Sequence, residues 1–288
     1  MTDYKEELIG VFGHPVAENP TVVMYEAAFS KLGLRWRYLT IEVLPDDLED
    51  AMKGIRALNM KGINLTIPHK VQVLKYLDEV KPDAALMGAV NTVINVGGRL
   101  IGENTDGKGF MRSLTQDAQF DPTGKKAVVL GAGGAARSIC VELALAGVKE
   151  IIIVNRDRGR GESLTDLINT KTSTDARYIK WESGYRIPPG SDILINATSV
   201  GLAPRTDEKP DISYDSVTGD MVVCDVIPAP VTPFLNESKI RGAKILDGLG
   251  MLVYQGAIGF KLWTGKDAPV QVMHNALSKA FRDPGSEE

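Results

Sequence analysis

The segment Leu130-Gly131-Ala132-Gly133-Gly134-Ala135-Ala136-Arg137 does most to limit what this chain can become. The apolar run Ala127-Val-Val-Leu130 leads into it, and a helical pattern follows that ends at Gly147. Gly131 permits a sharp turn and Gly133 lets backbone amides approach a pyrophosphate. Gly134 and Ala135 open a helix whose free N–H groups and partial positive charge suit an anion. A second strand pattern, Glu150 to Val154, ends about 20 residues on, as a dinucleotide-binding unit requires. Beyond it comes Asn155-Arg156-Asp157-Arg158-Gly159-Arg160. Asn155 leaves the usual acidic position neutral, and Arg156 and Arg160 can clamp a ribose phosphate. Asp157 would repel a phosphate or bind a bare ribose. NADP or NAD is expected, NADP ahead by a narrow margin.

The chain has 288 residues, more than one typical domain, so two are expected. Strand patterns alternate with helical ones from end to end. In the first half, strands are expected at Leu8–Phe12, Arg37–Val43 and Ile63–Ile67, and a hairpin at Ala89–Gly102. Helices are expected from Thr21 to Leu32, broken at Gly33, and over Leu48, Met52, Ile55 and Leu58 behind a cap at Asp46 or Asp47. In the second half, strands are expected at Tyr178–Trp181, Asp192–Asn196, Val222–Val226 and Lys244–Leu246, and two helical patterns between Met251 and Phe281. Such alternation points to parallel sheets.

Charge and cysteine usage remove several classes of function. The formal net charge is −4 without a long single-sign run, which argues against nucleic acid or an anionic membrane as a partner. Cys140 and Cys224 stand in apolar runs and read as buried reduced thiols, and no Cys/His spacing suggests a metal. The first residues lack a basic segment followed by an apolar one, and no apolar stretch approaches ~18 residues. A cytoplasmic location is expected.

Three polar segments interrupt the apolar strands of the first half: Asn64-Leu-Thr-Ile-Pro-His-Lys70, Gly88-Ala-Val-Asn91-Thr92, and Gly102-Glu-Asn-Thr105-Asp106-Gly-Lys-Gly109. A lysine at a strand-to-helix junction and an aspartate in a glycine-bounded turn can make a proton-transfer pair if they meet. They can equally be a surface lysine and a turn-stabilising aspartate.

These segments, together with the glycine turn, Asn196-Ala-Thr198-Ser-Val-Gly201 and Asp247-Gly-Leu-Gly-Met-Leu-Val-Tyr-Gln255, resemble the shikimate/quinate dehydrogenase family in order and over essentially the whole chain. The resemblance implies an α/β fold of two domains with a cleft between them. Residues 1–107 plus 247–288 would form the substrate domain and 108–246 the Rossmann-type doubly wound nucleotide-binding domain. It implies reversible NAD(P)-dependent oxidation of a ring hydroxyl of shikimate, quinate or a closely related cyclic polyol acid, as in aromatic amino acid biosynthesis. Carried over residue by residue, Lys70 takes the hydroxyl proton and Asp106 orients it. Asn91, Thr105 and Gln255 hold substrate hydroxyls. Asn196, Thr198, Gly248 and Met251 line the cofactor near its reactive end, and Asn64 braces the cleft loop. The chain would act as a monomer or homodimer.

Two departures stand out. The family usually places two serines on the substrate carboxylate; counting from Gly13 puts Asn19 and Thr21 there, with Glu18 beside them. Where the family usually has a substrate-binding tyrosine, this chain has Pro228. The reacting end is thus expected intact and the acid end read differently. A cofactor- or polyol-sensing protein without turnover is the alternative.

Overall fold

The structure, a computed structural model, describes residues 4–228 and 231–282. The outermost residues of the expected substrate domain, 1–3 and 283–288, lie outside the described residues. In chain order the first half carries β1 (Glu7–Gly13), α1 (Thr21–Leu32), β2 (Trp36–Glu42), α2 (Leu48–Ala57), β3 (Gly62–Leu65), α3 (His69–Gln72), β4 (Glu79–Val80), α4 (Pro82–Met87), β5 (Thr92–Val96) and β6 (Arg99–Glu103). Then follow α5 (Asp106–Gln116), β7 (Lys126–Leu130), α6 (Gly134–Leu145), β8 (Glu150–Asn155), α7 (Arg158–Lys171) and β9 (Asp175–Lys180). The chain continues through β10 (Tyr185–Arg186), β11 (Ile193–Asn196), β12 (Ile212–Ser213), β13 (Val222–Asp225), α8 (Pro233–Ile240) and β14 (Lys244–Leu246). It ends with α9 (Gly248–Thr264) and α10 (Val270–Arg282).

Two compact units result. One holds the chain up to Thr105 and from Gln255 onward; the other is Asp106–Tyr254. These junctions differ from those expected at 107/108 and 246/247 because the start of α9 packs inside the second unit. A Cβ on Gly250 would meet Ser113 Oγ at 2.2 Å, and Tyr254 donates to Asp117 at 2.8 Å.

The first unit has one sheet in the order β2-β1-β3-β5-β6-β4. The strands joined through helices pair in parallel, β1 with β2 and with β3, while the expected hairpin, β5–β6, runs antiparallel to β3 and within itself. On one face, Leu48, Met52 and Ile55 of α2 are buried against Phe12, Ile63 and Val93. Leu58, counted with them from its spacing, lies beyond the helix end and is 67% exposed. Aromatic side chains pack in this unit too: Tyr25 stacks on Tyr38 at 4.4 Å, and Phe29 on Phe260 at 5.6 Å. Trp263 donates to the carbonyl of Val93 at 2.9 Å. Gly33 ends α1 in the left-handed conformation at φ 62°, where a side chain would be strained.

The second unit has a wholly parallel sheet in the order β14-β13-β11-β7-β8-β9. Numbered from β7 this is 3-2-1-4-5-6, the order of dinucleotide-binding sheets, with strand order reversing beside β7. Its strands are buried on both faces, as helices on either side demand; Val128, Val129, Ile152 and Ile153 are fully inaccessible. Cys140 and Cys224 are buried free thiols, and burial pushes the Cys140 thiol up to about 12. No described helix is long and apolar enough to cross a membrane.

Candidate active site

In the first unit, three neighbouring strands bring distant polar residues together. β3 pairs with β5 so that Asn64 faces Thr92, and the hairpin sets Thr92 opposite Glu103. That register explains why Asn91 and Thr105 meet. Asn91 Nδ2 donates to Thr105 Oγ1 at 3.0 Å, and Thr105 N donates to Asn91 Oδ1 at 2.8 Å. Gln255 Oε1, from α9, lies 3.3 Å from Thr105 Oγ1 and 3.5 Å from Asn91 Nδ2. Asn64 Nδ2 donates to Thr92 Oγ1 at 3.0 Å and to the Asn91 carbonyl at 3.1 Å.

Tyr38 extends this file toward α1. Its hydroxyl donates to Asn64 Oδ1 at 2.9 Å and lies 3.1 Å from Thr21 Oγ1. Thr21 in turn donates from its hydroxyl to Asn19 Oδ1 at 2.5 Å and from its backbone N–H to the same oxygen at 3.1 Å. The members from Thr21 to Gln255 are all buried. Sequence reading named Asn19, Thr21, Asn91, Thr105 and Gln255 and gave Asn64 a bracing part, but missed Tyr38 and Thr92. A lone tyrosine in a strand reads as core, and only the register of β1, β2 and β3 delivers its hydroxyl to Asn64.

Lys70 lies half-buried in α3, with its carbonyl accepting from Val90 N at 2.8 Å. The preceding His69 is fully buried, its Nε2 2.8 Å from the Val43 carbonyl, so it anchors the turn and packs. His14 is exposed and bonded to Glu42 at 2.8 Å. Asp106 belongs to the second unit and is the first residue of α5. The sequence placed it in a glycine-bounded turn, but the chain turns helical there, where an acidic side chain favours the positive helix end. Gly107 then lets α5 close on α6: a Cβ would meet Ser138 O at 2.4 Å.

At the glycine turn of the second unit, two kinds of glycine separate. Gly131 has φ +110°, and a Cβ there would lie 2.9 Å from Ala197 O, so the fold itself demands glycine. A Cβ on Gly133 or Gly134 would meet nothing within 4 Å. Intrachain packing does not account for these two, whereas a phosphate group against the N-terminus of α6 beside Ala135 would. Gly248, expected near the cofactor, has a close neighbour of its own: a Cβ would lie 2.3 Å from Val226 O. Met251, one turn on in α9, is half-buried.

Beyond β11, Asn196 Oδ1 accepts from Thr198 Oγ1 at 2.6 Å, while its amide donates to Asp225 Oδ1 at 3.0 Å. Asp225 also accepts from Thr232 Oγ1 at 2.7 Å, and burial pushes its carboxyl up to about 6 despite these donors. A cavity of about 400 Å³ opens within the second unit between Asn155, Arg156, Trp181, Thr198 and Lys209. Asp157 caps α7, accepting from Arg160 N at 3.0 Å, with Arg160 Nε 3.7 Å from its other oxygen. Capping gives Asp157 a reason to be acidic that is independent of any ribose.

Comparison with known proteins settles the family. The model for the shikimate dehydrogenase substrate binding domain matches residues 11–93, and that for shikimate / quinate 5-dehydrogenase matches 113–238. The shikimate 5'-dehydrogenase C-terminal domain matches 248–277. A shikimate dehydrogenase (NADP(+)) of Desulforamulus reducens is 46% identical over 96% of this chain and 96% of its own. The chain belongs to the shikimate dehydrogenase family. Among solved members of this fold, the ligand-free 5-ketofructose reductase of Gluconobacter sp. strain CHM43 is 47% identical. It covers 97% of this chain and 100% of its own at a TM-score of 0.92. Shikimate 5-dehydrogenase from Listeria monocytogenes, in complex with shikimate and NAD, is 39% identical, covering 96% and 99% at a TM-score of 0.88.

Family membership makes the chain an oxidoreductase with NADP or NAD as cofactor. Its own residues fit such a group, through the open glycines and through Arg156, exposed at the cavity rim. Replacing Arg156 by Ala is expected to raise KM for NADP about tenfold or more, the size of one charge-assisted hydrogen bond, and to leave KM for NAD unchanged. Steady-state kinetics with both cofactors check this; equal changes would refute a role on the 2′-phosphate.

Proposed function

We propose that the chain interconverts a ring hydroxyl and the matching ketone of a cyclic polyol. The observation that carries this reading is the buried file Thr21–Tyr38–Asn64–Thr92–Asn91–Thr105–Gln255. Every side chain in it is neutral, and nearly all can both donate and accept, which matches a row of ring hydroxyls that do the same. The curated relative acts as a shikimate dehydrogenase and the Gluconobacter protein as a 5-ketofructose reductase. Shikimate, an acid, and 5-ketofructose, an uncharged ketose, are therefore the two reference substrates.

In this reading residues 1–107 and 247–288 serve the substrate, and 108–246 serve the cofactor. When bound, a nicotinamide dinucleotide accepts or supplies the hydride. Lys70 takes the hydroxyl proton as the C–H bond gives up its hydride and the C=O bond forms; in reverse its ammonium returns that proton to the carbonyl oxygen. Asp106 is the group that orients Lys70 in this reading. Asn91, Thr105 and Gln255 hold neighbouring hydroxyls, Gly133, Gly134 and Ala135 receive the pyrophosphate, and Arg156 and Arg160 the ribose phosphate. Thr198 and Met251 line the nicotinamide end. A non-catalytic sensor is set aside because the curated relatives that span nearly the whole chain are named as enzymes.

Rates of NADPH and NADH oxidation with 5-ketofructose, and of NADP+ and NAD+ reduction with shikimate and quinate, test the reading. Turnover of at least one pair is expected. Tight NADPH binding without turnover of any would return the sensor.

A further inference from the structure

We propose that the substrate this chain prefers carries no carboxylate. The inference rests on the oxidoreductase reading above and concerns the substrate end away from the reacting carbon.

It starts at the N-terminus of α1. A carboxylate held there would need donors; beside the neutral amide N–H groups of Asn19, Thr21 offers two, its backbone N–H and its hydroxyl. Both already point at one atom, Asn19 Oδ1, at 3.1 and 2.5 Å. The neutral amide oxygen of Asn19 thus takes up both donors of Thr21 from within the chain.

Proton counting gives the same answer. Thr21 has one hydroxyl proton, and the 2.5 Å contact takes it rather than the 3.1 Å contact to Tyr38. Tyr38 commits its own proton to Asn64 Oδ1 at 2.9 Å. Two oxygens therefore face each other with acceptor capacity and no proton between them. A substrate hydroxyl can donate into such a place, whereas a carboxylate brings only further lone pairs.

The local charge agrees. The segment from Gly13 to Thr21 contains no lysine or arginine. It contains exposed Glu18, and its only basic side chain, His14, is bonded to Glu42 at 2.8 Å. An ionised group moved from water to such surroundings loses hydration that one neutral amide replaces only in part.

The methyl ester of shikimate keeps the ring and its hydroxyls and removes the charge while adding one methyl group, so wild-type kcat/KM on the two, together with 5-ketofructose as the uncharged ketose, tests the proposal. The ester or the ketose is expected to exceed the acid by about tenfold or more, the equivalent of one missing charge-assisted hydrogen bond. Asn19→Ser, which removes the internal acceptor, should raise kcat/KM on shikimate by a similar factor. A wild type that uses the acid as well as or better than both uncharged compounds overturns the proposal, as does an Asn19→Ser variant that binds NADPH normally but gains nothing on shikimate. If none of the three compounds is turned over while quinate is, this inference fails and the proposed function stands; if quinate is not turned over either, both fail.

Discussion

Replacing Lys70 by Ala lowers kcat by about 10²- to 10⁴-fold, the usual contribution of a positioned acid–base group, and leaves NADP affinity unchanged. The backbone around it is held by other residues. His69 is fully buried and bonded to Val43, and the Lys70 carbonyl is bonded to Val90, so truncating the side chain leaves the turn in place. Lys70→Arg is equally inactive, because a guanidinium keeps its charge and cannot take the proton. Steady-state rates give kcat, and NADPH fluorescence titration gives cofactor affinity. A Lys70→Arg variant within tenfold of wild type would remove the proton-transfer role and leave only a positive charge.

The second large effect is on stability and concerns Asp225. Its side chain is 2% exposed and held by the neutral donors Asn196, Thr232 and the Ile227 N–H. Burial is the largest influence and raises its carboxyl to about 6, with the hydrogen bonds pulling the other way. The folded value thus lies above the unfolded one of about 3.9, so the native state binds more protons between those two limits. The stability from this group is complete below about pH 4 and is lost as pH rises toward 6, by up to about 3 kcal/mol. Asp225→Asn abolishes that loss. Denaturant unfolding of both proteins from pH 4 to 8 reads it as a difference in slope. Exposed carboxylates held low by basic partners, such as Asp215 beside Arg186, contribute oppositely but equally to both proteins. Parallel curves for wild type and variant would refute the assignment.

What could be read beforehand followed from local rules. Gly33 as the end of α1, Gly131 as the sharp turn, and the buried row Leu48, Met52, Ile55 all express periodicity or backbone freedom. Contacts between strands were hidden. Tyr38 is one aromatic residue in an ordinary strand pattern until the sheet register brings its hydroxyl to Asn64. Asp106 looked like a turn residue because its glycine neighbours suggested a loop, whereas Gly107 serves helix packing. Gly248 has a reason within the chain to be glycine, because the backbone of Val226 leaves no room for a side chain, and sequence alone does not show that contact. Asp157 seemed to pull the cofactor choice two ways, and its cap on α7 supplies a separate reason for the acid.

The file from Asn19 to Gln255 has a fixed stock of hydrogens. Each hydroxyl in it can point only one way, so reversing one reverses the demand on the next. Substitutions within it will therefore not combine as independent increments, and a change at Asn64 is sensed at Asn91 through Thr92. A new substrate can be accommodated at one end only if the whole row accepts a consistent direction. On the proposed function, the first unit would recognise the polarity of a ring, meaning which of its hydroxyls give and which receive, as well as its shape.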